Sequence, residues 1–223
     1  MCNRILRVIA LLALTAFVSG CFTTGKNKTP RSEYNPEYRP MNVAGKGSIP
    51  SGLRRVVVLP VFWAEDPDSD FLRYLDSTII LSLQRTGAFE LVPLDRAEMR
   101  KLFGKTQYSS VGVLPDNLVE ELKRVYAADG ALFVDLTVNR PYRPMALGFR
   151  TRILDFNGMD VVWSADILFD GADPAVALAA RDFAEKTTFN PSPVDKSGAI
   201  LQSPRSFAVF ATDVLFSSLP IRK

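Results

Sequence analysis

Histidine is absent from this 223-residue chain, and cysteine occurs only twice, at Cys2 and Cys21. Without histidine there is no Ser-His-Asp or Cys-His nucleophile pair, because the general base is missing. A zinc site built on imidazole is excluded, and two cysteines cannot supply a four-thiolate site within one chain. Paired carboxylates remain available for catalysis, but no two acids in the pattern mark a recognisable cleft. The chain also lacks an internal repeat. Hydrophobic residues make up 47%, which excludes a disordered chain. The length suits one domain with extensions, or two small domains. Lys and Arg number 27 against 24 Asp and Glu, a formal +3, which suggests nucleic acid only if those charges sit on the folded part.

Arg4 and Arg7 open the chain, and Val8 to Val18 is apolar apart from Thr15. This run is short for a membrane span and has the shape of a signal-peptide core. It ends in Val18-Ser19-Gly20-Cys21, which resembles the bacterial lipobox. The resemblance implies cleavage after residue 20, a diacylglycerol on the Cys21 sulfur and an acyl chain on its amine. Each buried methylene then contributes about 0.8 kcal/mol to anchoring. The alternative is a plain secretory signal with an incidental Cys. Cys2 leaves with the signal, so Cys21 becomes the mature chain's single cysteine and no intrachain disulfide forms. Phe22 rather than Asp follows Cys21. By likeness to enterobacterial lipoproteins this implies the outer membrane, on its periplasmic face.

Residues 21–52 read as the lipidated Cys and a tether. The segment holds Pro30, Pro36, Pro40 and Pro50, and its apolar residues show no period. Tyr34 and Tyr38 are either a docking patch or part of a solvated leash. Phe22 to Gly52 carries five basic and two acidic residues, whereas Leu53 to Lys223 carries 20 basic and 22 acidic, a net −2. The basic excess therefore belongs to signal and tether, beside the lipid headgroups, and nucleic acid is not an expected partner.

Residues 53–223 form the expected domain. Val56-Val57-Val58-Leu59-Pro60-Val61-Phe62 reads as a strand buried on both faces. Leu72, Leu75, Ile79 and Leu83 recur at helical spacing up to Gly87. Phe89–Leu94 is a strand, Asp95 caps a helix to Phe103, and Pro115-Asp116 opens another carrying Leu118, Leu122 and Val125. Strands follow at Ala131–Val138, Ala146–Phe156 and Asp160–Phe169, the last two joined at Asn157-Gly158, both tolerant of positive φ. Asp173-Pro174 and Ser203-Pro204 start two final helices separated by a loop from Thr188 to Gln202. The order β-α-β-α-α-β-β-β-α-α predicts an α/β (α+β) fold. Its single mixed sheet has parallel first strands, an antiparallel C-terminal meander and helices mainly on one face.

The valine-rich opening strand resembles that of the TolB amino-terminal domain and the CsgG-type periplasmic lipoproteins, although Val61 separates Pro60 from Phe62. Gly87-Ala88-Phe89-Glu90-Leu91-Val92 is similar to their second strand. Ala127-Ala128-Asp129-Gly130-Ala131-Leu132-Phe133-Val134 is similar to their third, with Asp and Gly in changed order. Asp155-Phe156-Asn157-Gly158-Met159-Asp160-Val161-Val162-Trp163 is similar to their hairpin. The likeness spans Leu53 to Phe169 and implies an anticodon-binding-like fold used for protein contacts in the envelope, without catalysis.

Gly104-Lys105-Thr106 matches only the end of a phosphate-binding loop, with Met99 where its first Gly belongs. Glu65 to Asp70 is acidic but lacks the spacing of a calcium loop, and helix-dipole stabilisation explains it. No metal and no cofactor beyond the Cys21 lipids is expected. Strand alternation places Asp135 and Thr137 on one face, Arg150 and Arg152 on one face of the next strand, and Ser164 and Asp166 on one face of the last. Aligned in register, they form an acid-base-acid stripe, either a solvated sheet face or a polar docking surface. The aromatic last helix either packs on the domain or lies on a membrane or partner. The leading expectation is a non-enzymatic, membrane-anchored module that binds another envelope protein, with homo-oligomers possible. A subunit of a CsgG-like secretion complex and an envelope hydrolase are the alternatives; Arg140 to Met145 is too short for the bilayer-crossing hairpins the former needs.

Overall fold

Val56, Val57 and Val58 are all buried, with side chains alternating between two separate apolar clusters. This strand sits inside a sheet covered on both sides at that point. The computed structural model describes residues 38–187 and 197–222. In chain order these form β1 (Val43–Gly45), β2 (Arg55–Val58), α1 (Asp70–Thr86), β3 (Glu90–Pro93), α2 (Arg96–Phe103), α3 (Leu118–Tyr126), β4 (Gly130–Arg140), β5 (Ala146–Asp155), β6 (Asp160–Asp170), α4 (Pro174–Thr187), a 3-10 turn (Ser197–Gln202) and α5 (Pro204–Ser217). The six strands run β1-β6-β5-β4-β2-β3 across one mixed sheet. β2 lies parallel between β3 and β4, and β4, β5 and β6 form the antiparallel meander.

Local chemistry sets the helix limits. Ser69 accepts from the Leu72 N–H at the start of α1, and Gly87 ends that helix at φ 62°, a conformation glycine adopts without a Cβ penalty. Asp95 caps α2 through the Glu98 N–H, and Ser203 caps α5 through the Ser206 N–H. Asp129 staples the parallel strands: one carboxylate oxygen accepts from the Arg54 and Arg55 N–H groups at 3.0 and 2.8 Å. α3 ends instead at Ala127, held at φ 51°. Replacing this exposed alanine by glycine is expected to stabilise the fold by about 1 kcal/mol, since a Cβ in the left-handed region costs about that much. Thermal unfolding should then shift upward by about 2–4 °C; no upward shift would show that the Ala127 conformation is unstrained.

The longer helices α1, α4 and α5 cover one face of the whole sheet with the larger cluster, in which Phe149, Trp163, Phe169, Phe207 and Phe210 are buried. On the other face α2 and α3 cover the β3-β2-β4 half, packing Met99, Leu118 and Leu122 against Val57, Ala131 and Phe133. The aromatic last helix is thus a core helix, and its Phe207, Phe210 and Phe216 are fully buried.

Three features differ from the sequence expectation. The strand expected to run to Phe62 ends at Val58, and Phe62 makes only an isolated bridge to Asp135. The tether does not extend to Gly52: Val43–Gly45 pairs antiparallel with β6, and Ile49 is buried. β6 otherwise presents an open row of backbone donors and acceptors, and a short strand satisfies them. Gly45 permits the approach, since a Cβ there would lie 2.9 Å from the Val162 carbonyl oxygen. The β5–β6 connection is also not a two-residue Asn-Gly turn. Asp155 pairs with Asp160 across a four-residue loop, and the positive φ falls on Met159, at 52°. The Asp155 carboxylate accepts from the Asn157 N–H at 2.9 Å and fixes the entry to the longer loop.

Candidate functional site

Beyond the reach of α2 and α3, no described helix covers the second face of the sheet, and the predicted stripe lies there. Register places Asp135 opposite Arg150, Arg150 opposite Asp166, and Arg152 opposite Ser164. The Arg150 Nε donates to Asp166 Oδ2 at 2.9 Å. Both side chains are partly solvated, so the pair stabilises the sheet by only about 0.2–1 kcal/mol.

Asp135 does not face solvent as expected of a docking residue. It is 3% exposed. Its carboxylate accepts from Ser109 Oγ at 2.9 Å, from the Ser110 N–H at 2.8 Å and from Ser110 Oγ at 2.9 Å. The connection between α2 and α3 folds back over the acidic end of the stripe, and Arg152 Nη1 fastens it by donating to the Ser110 carbonyl at 3.0 Å. Thr137 falls at an irregularity where the pairing shifts between Leu136 and Val138; it is exposed and unpaired in the ladder. The face left accessible therefore comprises Thr137, Arg150, Arg152, Ser164 and Asp166. Exposed Val138, Val161 and Leu168 fringe it. Sequence reasoning missed Ser109, Ser110 and this apolar fringe. Alternation signalled the fringe, because Leu168 follows Ser164 and Asp166 at period two.

A second polar cluster sits where β2 ends. Asp76 of α1 is bound by Arg96 of α2: Nε reaches Oδ2 at 2.8 Å and Nη2 reaches Oδ1 at 3.1 Å. The Val61 N–H donates to Asp76 Oδ1 at 2.8 Å, and Arg96 Nη2 donates to the Val61 carbonyl at 2.9 Å. Gln107 accepts from Arg96 Nη1 at 3.0 Å and donates to the Trp63 carbonyl at 2.9 Å. Burial pushes the Asp76 carboxyl above its ordinary value, and Arg96 and the Val61 N–H pull it back down. Every guanidinium nitrogen of Arg96 is engaged within the protein, so the cluster clamps backbone and presents no free group for chemistry.

Gly104 closes α2 in the left-handed conformation, so Gly104-Lys105-Thr106 is a helix end. The acidic run enters α1 through Ser69, and Asp70 pairs with Arg73. Among the described residues no group of three His, Cys, Asp or Glu side chains is placed to hold a metal ion, and no helix is long and apolar enough to cross a membrane. Val18, Ser19, Gly20 and Cys21 lie outside the described residues.

No family model and no curated protein matches the sequence. Several solved structures are similar to it. A dodecamer of PelC from Paraburkholderia phytofirmans is 17% identical over 61% of this chain and 88% of that one, with a TM-score of 0.38. Lipoprotein GNA1162 from Neisseria meningitidis is 11% identical over 62% of this chain and 99% of that one, with a TM-score of 0.38. The hypothetical protein CT253 from Chlamydia trachomatis is 14% identical over 73% and 94%, with a TM-score of 0.39. Likenesses this distant assign no function to this chain.

Proposed function

We propose that the chain is a lipid-anchored protein of the bacterial envelope whose domain is a non-catalytic module for binding another envelope protein. In this reading Cys21 carries the lipids and the outer membrane is the site of anchoring. The domain works in the manner of the TolB and CsgG-type modules, without cofactor or nucleic acid. One observation carries the docking role: among the described residues no helix lies over the half of the second sheet face beyond α2 and α3, yet that half presents Arg150, Arg152, Ser164 and Asp166 in register with an apolar fringe. A polar centre of fixed geometry beside exposed Val138, Val161 and Leu168 suits a specific protein contact better than a purely solvated face.

Charge reversal tests it. In cells producing the full chain, Arg150→Glu with Arg152→Glu should remove the proteins crosslinked to the wild type, by tenfold or more, since opposed like charges cost several kcal/mol. Purified protein should keep its far-ultraviolet circular dichroism, because the losses are one surface ion pair and the single Arg152 bond to the Ser110 carbonyl. An unchanged set of crosslinked partners from a folded variant removes this face from the docking role.

A further inference from the structure

We infer that one end of the domain rests on an anionic lipid surface. It comprises the β4–β5 turn, the exposed side of α4 and the chain entering β1. The inference rests on the lipid-anchored reading above and adds to it a second membrane contact, made by the folded domain.

The residues at this end have the composition such a contact requires. Met41 is 96% exposed and Tyr142 81% exposed, far more than core-forming residues of their size normally are. Met41 lines a cavity of about 450 Å³ with Leu168 and Leu178, both also exposed. Arg143, adjacent to Tyr142, lines a neighbouring cavity of about 470 Å³ with Arg181. Leu178 of the first cavity and Arg181 of the second are three residues apart on α4, hence on one helix face. Among the described residues neither Arg143 nor Arg181 makes an ion pair, whereas nearby Arg140 is neutralised by Asp170 at 2.8 Å. Two acids line the first cavity: Asp173, whose carboxylate caps the Ala175 N–H at 2.8 Å, and Asp166, which accepts from Arg150 Nε at 2.9 Å. Two unpaired guanidinium groups beside an amphipathic tyrosine and exposed aliphatic side chains match the headgroup region of a bilayer.

The chain path points to the same occupant. Residues 22–37 separate Cys21 from Tyr38, where the described chain begins, and even fully extended they span only about 55 Å. Tyr38 lies at this end, its ring 6.0 Å from that of Phe169. The surface that meets the lipids is thus the one from which the chain departs toward its anchor. Arg150 and Arg152 of the docking face line neither cavity, whereas Asp166 and Leu168 belong to both surfaces.

The test uses the mature chain from residue 21 with Cys21→Ser, so that no lipid is attached. All described elements lie at or beyond residue 38. It should sediment with vesicles containing phosphatidylglycerol and not with pure phosphatidylcholine vesicles. Arg143→Ser with Arg181→Ser should weaken sedimentation about tenfold or more, at the attraction expected per basic residue near an anionic surface. Arg100→Ser with Lys101→Ser on α2 should leave it unchanged. No binding to anionic vesicles, or equal loss in the α2 control, overturns the proposal. So does a photocrosslinker at Tyr142 that in cells captures protein rather than lipid. Incorporation of labelled palmitate in cells, abolished by Cys21→Ala, reads the anchor separately. Its absence defeats the lipidation reading while leaving the vesicle result to stand on its own.

Discussion

Arg96→Met is expected to destabilise the domain by about 3–4 kcal/mol. Removing one partner of a largely buried ion pair leaves the other charged and uncompensated. The Arg96 and Asp76 side chains are 14% and 22% exposed, so little solvent is at hand to replace the guanidinium. The loss reaches further than the pair, because Arg96 also satisfies the Val61 carbonyl and Gln107 Oε1. Urea unfolding should show the midpoint falling with an unchanged slope, and the melting temperature should drop by about 6–16 °C. Asp76→Leu in the Arg96→Met background should recover part of this, since an apolar pair of similar volume avoids the stranded carboxylate. Recovery remains partial because the Val61 N–H loses its acceptor.

The pH dependence of that variant has a definite sign. Burial already raises the Asp76 carboxyl, and Arg96 is the largest influence lowering it. Without Arg96 the folded-state value rises further above that of the unfolded chain. The folded state then binds the proton more tightly, so stability falls as pH rises from the ordinary carboxylate value through the raised folded one. Arg96→Met should therefore lie closest to the wild type at acid pH. A deficit that is constant between pH 4 and 8 would show that Asp76 stays ionised without its partner.

The elements that periodicity and punctuation specify were legible from the residues alone. Val56 to Val58 fits a doubly buried strand, and Gly87 and Gly104 stop helices because both adopt positive φ. Alternation placed Asp135, Arg150 and Asp166 on one face, and the register joins them. What alternation cannot supply is the cover over a face. Ser109 and Ser110 bury Asp135 from a connection distant in sequence, and no local pattern encodes that return. β1 was hidden for a related reason: three residues among prolines and glycines have no period, and the strand exists because the β6 edge offers partners. The Asp76–Arg96 clamp was hidden as well. A single carboxylate beside Leu75 in α1 looks like a helix-surface acid until α2 brings a guanidinium to it.

Phe210→Ala is expected to cost about 3–5 kcal/mol, the range for deleting a fully buried phenylalanine. Phe210 is 0% exposed and is the hub of the aromatic cluster. Its ring stands edge-on to Phe169 of β6 at 5.9 Å and to Phe183 of α4 at 5.8 Å, and lies tilted against Phe207 at 5.7 Å. Such edge-to-face pairs contribute about 0.5–1.5 kcal/mol beyond the area they bury. The cost should be unevenly distributed. α4 buries only Val176 and Ala180 fully, so Phe183 against Phe210 is a major part of its attachment. Hydrogen exchange should accelerate in α4 first, with β4 and β5 protected until global unfolding. Phe210→Leu fills most of the space and should cost less than half as much. This series also decides between the two roles open to an aromatic C-terminal helix. A helix lying on a membrane or partner would lose binding on truncation and keep its folding stability. A loss below 1 kcal/mol in Phe210→Ala would contradict the packed arrangement; a loss of several, concentrated in α4, assigns the apolar face of α5 to the core and leaves the uncovered sheet face and the end near Tyr142 as the surfaces open to other molecules.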